Sequence, residues 1–291
     1  MSRIRHFLDV DDLDATELAV VLDLAEETDP RPVLAGKGAA LLFMKPSNRT
    51  RASMEMAVVA LGGHPMSYRP DELGIDTREP AEDVARILSG YCALLGARVF
   101  AHEVLLRLAA GSSVPVVNLL SDDAHPCQVL ADLLTLQARF GDLRGRTLAW
   151  VGDGNNVCRS LMAAAALTGM LIRVATPPGF EPPLSPGAEL TTDPFEAVKG
   201  ADAVYTDVWA SMGQEDQAAE RRAAFAGFTV DDDLMAAAGP DAVFLHCLPA
   251  HRGEEVSASV VDGPRSLVWE QSASRLPAQR ALLEWILGAR P

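Results

Sequence analysis

Five short stretches bring together residue types that do chemistry. Lys45-Pro46-Ser47-Asn48-Arg49-Thr50-Arg51 follows an apolar run and opens a helical pattern. The free backbone N–H groups of a helix start, the hydroxyls of Ser47 and Thr50 and a guanidinium together make a cradle for an anion. Arginine grips a phosphate-type oxyanion through two parallel hydrogen bonds, which makes such a group the natural guest. The Walker order Gly-x-x-x-x-Gly-Lys-Ser/Thr is absent. The same letters also spell an ordinary polar strand–helix turn with solvated arginines.

A second stretch, Asp122-Asp123-Ala124-His125-Pro126-Cys127-Gln128, places a histidine just before a proline suited to the first position of a helix. The helix dipole would depress the His125 pKa and keep the imidazole neutral near neutral pH, ready to donate a hydrogen bond to a carbonyl oxygen. A capping histidine is the plainer reading. No third and fourth ligand follow His125 and Cys127 at metal-site spacing. His246-Cys247-Leu248-Pro249 follows an apolar strand, where ligands gather in α/β sheets. Adjacent residues on an extended chain point to opposite faces, which argues against a Cys–His dyad and leaves a buried structural cysteine as the rival. Gly152-Asp153-Gly154-Asn155-Asn156 imitates a dinucleotide fingerprint, yet Val157 holds the third glycine position, so the Asn pair suits a small polar ligand better than a nicotinamide cofactor. Asp207-Val208-Trp209-Ala210-Ser211-Met212-Gly213 sets a carboxylate and a hydroxyl four residues apart, a pair that can hold an ammonium group or serve as a polar loop.

The elements that carry these stretches alternate between short apolar runs and longer helical patterns, as in a parallel α/β protein. Asp14 with Glu17 caps a helix over Leu18–Glu27. Strands are expected at Ala39–Met44, Ala93–Phe100 and Val114–Leu119, with helices at Thr50–Leu61, Ala81–Ser89 and from Pro126 to about Phe140. A second series has strands at Thr147–Val151, Leu171–Ala175, Ala203–Thr206 and Ala242–Leu245, and a helix at Asn156–Leu167. Pro177–Pro186 is a loop, and the dozen residues or so between Ala175 and Glu189 are short for a helical crossover. The fold class that follows is α/β: two doubly wound parallel-sheet domains, 1–135 and 142–270, with the active site in the cleft between them. A last amphipathic helix is read over Leu276–Leu287, in a C-terminal segment 276–290 that packs back on the first domain.

At 291 residues the chain fits two domains of about 100–200 residues each. Twenty-five basic against 40 acidic residues give a net charge of −15, which disfavours nucleic-acid and anionic-membrane partners. No apolar run reaches the roughly 18–20 residues of a membrane span. The start lacks a signal-peptide core, and Cys92, Cys127, Cys158 and Cys247 show no paired spacing, so a cytoplasmic location with reduced thiols is expected.

In this order the motifs resemble the aspartate/ornithine transcarbamoylase family. Ser47-Asn48-Arg49-Thr50-Arg51 is similar to its Ser-Thr-Arg-Thr-Arg loop, and the stretches at His125 and His246 match its His-Pro-Cys-Gln and His-Cys-Leu-Pro motifs. Asp207 to Gly213 is similar to the Asp-x-x-x-Ser-Met-Gly loop of the ornithine branch. The resemblance runs from His6-Phe7-Leu8 to the final helix. It implies transfer of the carbamoyl group of carbamoyl phosphate to the δ-amine of L-ornithine, giving citrulline and phosphate in arginine biosynthesis. The alternatives are a transcarbamoylase for another amine or amino acid, or a binding protein on the same scaffold.

By that resemblance Ser47, Asn48, Arg49, Thr50 and Arg98 bind the phosphate, while His125, Gln128 and Arg275, the last just before the final helix, hold the carbamoyl group. Asn156 and the Met212 backbone take the ornithine α-carboxylate, Asp207 and Ser211 the α-amine, and Cys247 with the Leu248 carbonyl the δ-amine. Arg98, His125, Cys247 and Arg275 are then the catalytic set, with no metal or cofactor. A Cys247 thiolate is the one candidate base in the matched motifs. The family assembles as trimers, with a loop near Gly74–Glu79 reaching a neighbour. This chain departs from the family pattern at Asn48, Met44, Ser272-Ala273-Ser274, Gly74, Asp76 and Thr77, and in the short stretch Pro177–Glu189.

Overall fold

The computed structural model describes residues 4–185, 187–210 and 215–288. The chain divides into two compact units, one of residues 1–134 with 273–291 and one of residues 135–272. Each is built on its own parallel sheet.

In chain order the first unit opens with α1 (Ala15–Glu26), β1 (Gly38–Phe43), α2 (Arg49–Ala60), β2 (His64–Tyr68), α3 (Pro70–Leu73), α4 (Ala81–Ser89), β3 (Cys92–Arg98), α5 (His102–Gly111), β4 (Val116–Leu120) and α6 (Pro126–Phe140). A reciprocal capping box starts α1: Asp14 accepts from the Glu17 backbone N–H at 2.8 Å and Glu17 from that of Asp14 at 3.0 Å, an arrangement worth about 1 kcal/mol. The sheet order is β2-β1-β3-β4, and every pairing is parallel. Strand β1 is buried over five of its six residues, which is why it reads as a continuous apolar run rather than an alternating one. The chain leaves β1 for β2 on one side and then returns for β3 on the other. The carboxyl ends of β1 and β3 therefore flank the topological switch, where α/β sheets bind ligands.

The second series runs β5 (Thr147–Val151), α7 (Asn156–Thr168), β6 (Leu171–Ala175), β7 (Ala188–Thr191), α8 (Pro194–Val198), β8 (Ala203–Tyr205), α9 (Ala218–Ala224), α10 (Asp232–Ala237), β9 (Val243–Leu245), α11 (Ala258–Val261) and α12 (Val268–Leu287). Its sheet order is β7-β6-β5-β8-β9, again all parallel. The switch lies between β5 and β8. A core of Trp209, Phe225, Phe228, Val230 and Phe244 fills one face.

Two expectations need correction, the missing strand β2 and the start of the last helix. The strand β2 was not expected; it carries Pro65, which cannot donate to a ladder, and it lies at the sheet edge where that loss is tolerated. The link from β6 to β7 agrees with the loop read after Ala175: the two strands are parallel, and the described residues between them hold no helix. The last helix begins at Val268, not at Leu276, and ends at Leu287 as read; residues 289 and 290 lie outside the described residues. Pro277 suggests a helix start, but one proline removes a single helical bond, and α12 continues through it. In the first unit, Arg280 of α12 donates to the Leu24 and Ala25 carbonyls at 2.8 and 3.2 Å, and buried Glu284 accepts from Arg31 at 2.7 Å. Among the described residues no helix is long and apolar enough to cross a membrane.

Candidate active site

In the first unit, β1 delivers Lys45 to Thr50 at its carboxyl end. Ser47 Oγ accepts the Thr50 backbone N–H at 3.2 Å and so acts as the cap of α2, while Asn48 makes no side-chain cap bond and is exposed. Thr50 is buried, and two guanidinium groups meet at its hydroxyl. Arg98, the last residue of β3, donates through Nη1 at 3.3 Å, and Arg275 through Nη2 at 2.8 Å. Arg275 Nη1 also donates to Gln128 Oε1, whose amide NH2 donates to buried Asp132 at 2.8 Å. Arg275 does not precede the last helix; it lies inside α12, and the helix backbone, not a loop, fixes it.

His125 precedes Pro126, and its carbonyl takes the Gln128 and Val129 N–H groups at 3.0 and 3.3 Å, so it heads α6. Its pKa lies well below the usual histidine value. Burial is the largest cause, followed by the positive charges of Arg275 and Arg98. The sequence reading assigns this lowering to the helix dipole; burial and the neighbouring cations are its causes. Cys127 is buried, donates to the Asn118 carbonyl at 3.3 Å, and has its thiol pushed up to about 12 by burial. It is a packing residue. Lys45, buried at 6% exposure, donates to Asp122 at 2.7 Å and lies 4.3 Å from the Phe100 ring centre. The segment at Gly74–Glu79 is tied to its own unit, with Arg107 bridging Asp76 and Glu82 at 2.9 and 2.8 Å.

In the second unit the carboxyl ends of β5, β8 and β9 bring three loops together. Asp207, just past β8, accepts from Asn155 Nδ2 at 2.8 Å on Oδ2, and on Oδ1 from the Val208 N–H at 2.8 Å and the Cys247 thiol at 3.0 Å. Asn155 also caps α7 through Oδ1. Asn156 is the first helical residue and is half-buried. Ser211 and Met212 lie outside the described residues. Cys247 sits here as a donor to a carboxylate, a role suited to a neutral thiol.

Leu248 has φ +60°, a left-handed conformation rare for a branched side chain. Its N–H donates to His246 Nδ1 at 2.8 Å, and His246 Nε2 meets buried Glu255 at 3.2 Å. The His246 N–H donates to Gln271, which in turn donates to the Tyr205 hydroxyl at 2.9 Å. Asp207, His246 and Cys247 each offer one ligand atom within 4.8 Å of the others. Both His246 nitrogens are committed to this network, so the trio reads as a hydrogen-bonded set rather than a metal centre.

Sequence reasoning missed the support below this site. Arg221 of α9 donates to Asp153 at 2.7 Å and to the Trp209 carbonyl at 2.8 Å, with its guanidinium 5.0 Å from the Phe180 ring centre. The pair is largely buried, and burial raises the Asp153 pKa against the opposing pull of Arg221. Only the acidic letter in Gly152-Asp153-Gly154 hinted at a partner, and that partner lies 68 positions away. Gly154 explains the false dinucleotide signal. A Cβ there would lie 2.3 Å from the Pro182 nitrogen, and its N–H donates to the Phe180 carbonyl at 2.9 Å. The glycine admits the chain's own loop, not a pyrophosphate.

Residues 5–138 match the carbamoyl-P binding domain model of aspartate/ornithine carbamoyltransferases, and residues 144–286 match the Asp/Orn binding domain model of the same family. An ornithine carbamoyltransferase of Acidothermus cellulolyticus is 49% identical over 98% of this chain and 97% of its own. One from Thermus thermophilus is 49% identical over 97% of each chain. The solved ornithine carbamoyltransferase of Pyrococcus furiosus superposes with a TM-score of 0.94 at 43% identity, covering 99% of this chain and 98% of that one.

Proposed function

The chain belongs to the aspartate/ornithine carbamoyltransferase family, and from that premise we propose that it transfers the carbamoyl group of carbamoyl phosphate to the δ-amine of L-ornithine, giving citrulline and phosphate. The observation that carries the reading is the convergence of Arg98 and Arg275 on Thr50, beside a histidine held neutral. A dianionic phosphate with an adjoining carbonyl oxygen fits such a set of donors.

In this reading Ser47, Asn48, Arg49 and Thr50 take the phosphate with the α2 backbone N–H groups, and Arg98 spans phosphate and carbonyl. Gln128 and Arg275 hold the carbamoyl group, exchanging their bond with each other for bonds to the ligand. In the second unit Asp207 and Ser211 take the α-ammonium, Asn156 and the Met212 backbone the α-carboxylate, and Cys247 and the Leu248 carbonyl flank the δ-amine.

The neutral δ-amine attacks the carbamoyl carbon, forming the C–N bond, and negative charge gathers on the carbonyl oxygen. Arg98, His125 and Arg275 donate to that oxygen; each such fixed donor is worth a few kcal/mol, roughly 10²–10³ in rate. The C–O bond to phosphate then breaks, phosphate leaves with the electron pair, and the proton given up by the amine goes to the departing phosphate. Nothing covalent is required of the protein; positioning supplies the rest.

Family membership also supports a homotrimer and a place in arginine biosynthesis in the cytoplasm. The test is citrulline and phosphate formation from carbamoyl phosphate and ornithine by the purified chain. Equal amounts of both products are expected. Phosphate release without citrulline overturns the assignment.

A further inference from the structure

Asn155 stands between β5 and α7 with both ends of its amide engaged. Oδ1 accepts the backbone N–H groups of Val157 at 3.0 Å and Cys158 at 3.2 Å. That leaves only the NH2 for other use, so the amide orientation follows from the network. Nδ2 donates to Asp207 Oδ2 at 2.8 Å. A carboxylate offers about four lone-pair positions. Among the described residues three are filled on Asp207: two on Oδ1, by Val208 and Cys247, and one on Oδ2, by Asn155. The position left over belongs to the oxygen that Asn155 holds.

We propose that Asn155 is the positioning residue that sets acceptor selectivity. By fixing Asp207 Oδ2 against the start of α7, it leaves one aligned acceptor position for one N–H of an α-ammonium. An acceptor lacking the α-amine then leaves that position unfilled in a nearly closed environment, which is costly. The inference rests on the reading that Asp207 faces the ornithine α-ammonium. It goes beyond that reading in assigning the alignment to Asn155, whose amide oxygen caps α7 while its NH2 holds Asp207.

A role confined to capping is separable from this one, because serine and aspartate cap helices about as well as asparagine. The experiment therefore compares the full-length wild type with Asn155→Ser and Asn155→Asp. Phosphate release is followed with ornithine and with 5-aminopentanoate, which keeps the δ-amine and the carboxylate but lacks the α-amine. Melting temperatures check that the cap survives, and either variant alone suffices if the other fails to fold.

The wild type should favour ornithine by about 10²-fold in kcat/KM, and Asn155→Ser should lose about tenfold with ornithine, chiefly through KM, against less than about threefold with 5-aminopentanoate. Asn155→Asp adds a pH signature that capping alone does not produce. Two carboxylates at this distance share a proton at lower pH, and that proton replaces the amide N–H. Its preference for ornithine should approach the wild-type ratio near about pH 6 and fall as the pH rises, whereas Asn155→Ser shows no such recovery. An intact wild-type preference with unchanged ratios in both variants overturns the proposal and leaves the Asp207 reading standing. A wild type that uses both acceptors equally well overturns the Asp207 reading, and the proposal with it.

Discussion

The two units solve the same topological problem with opposite charge. Each sheet presents loops at the carboxyl ends of the strands flanking its switch point. In the first, the strand ends gather Thr50, Arg98 and His125, whose pKa is lowered, and α12 adds Arg275, so that the donors are cationic or neutral. In the second they gather around a carboxylate, Asp207, held by Asn155, Val208 and Cys247. The fold supplies a place, and the residues at the strand ends decide which sign of ligand it takes. For a chain with a net charge of −15 the first arrangement is the more demanding, since buried Arg275 and half-buried Arg98 must attract a dianion against the overall field.

That contrast breaks most severely at Arg275. Arg275→Ala removes the donor that serves both Thr50 and Gln128, and citrulline formation should fall about 10³-fold, mostly in kcat. A fall of less than tenfold would place the carbamoyl group elsewhere. Asp207→Asn attacks the other side: ornithine kcat/KM should drop about 10²-fold while the carbamoyl phosphate KM stays within about twofold. Equal effects on both substrates would dissolve the division of charge.

Cys247 sharpens the comparison further. As a neutral donor to Asp207, it should be replaced by serine with a loss of about threefold in ornithine kcat/KM, whereas a thiolate base would lose several hundredfold. In the wild type, kcat/KM for ornithine should climb from about pH 6 to about pH 9 as the δ-amine, with a free pKa near the ~10.4 of lysine, deprotonates. His125 should leave no inflection there, because its folded pKa lies well below the ordinary value.

The same shift gives the smallest expected effect, on stability. The unfolded chain binds a proton at His125 more readily than the folded one, so the stability this residue provides is complete above about pH 6.5 and is lost as the pH falls toward the folded pKa. Urea unfolding between about pH 7.5 and 5 should show His125→Asn removing a slope of at most about 1.4 kcal/mol per pH unit. An unchanged slope would mean that the imidazole is solvated.

Much of this was legible in the sequence because function concentrates at strand ends, where local letters suffice. The Ser47–Arg51 loop, His125 before Pro126 and Cys247 after an apolar run each carry their own context. What could not be read were contacts closed by the fold. Arg221 finds Asp153 from 68 positions away, and Asn155 reaches Asp207 from 52. The resemblance put Arg275 ahead of a helix read from Leu276, yet α12 starts at Val268 and runs through Pro277. The cause of the His125 shift was likewise hidden. A dipole is visible in one dimension, but burial against Arg275 and Arg98 is not.

The central claim is that the second unit recognises an α-amino acid carrying a δ-amine, and the acceptor panel tests it most directly. Phosphate release from carbamoyl phosphate would be measured with ornithine, lysine, putrescine, N-acetylornithine and aspartate at saturating donor. Ornithine should exceed every other acceptor in kcat/KM by about 10²-fold or more, since putrescine lacks the α-carboxylate and N-acetylornithine has no α-ammonium for Asp207. Putrescine or N-acetylornithine serving as well as ornithine would contradict the account.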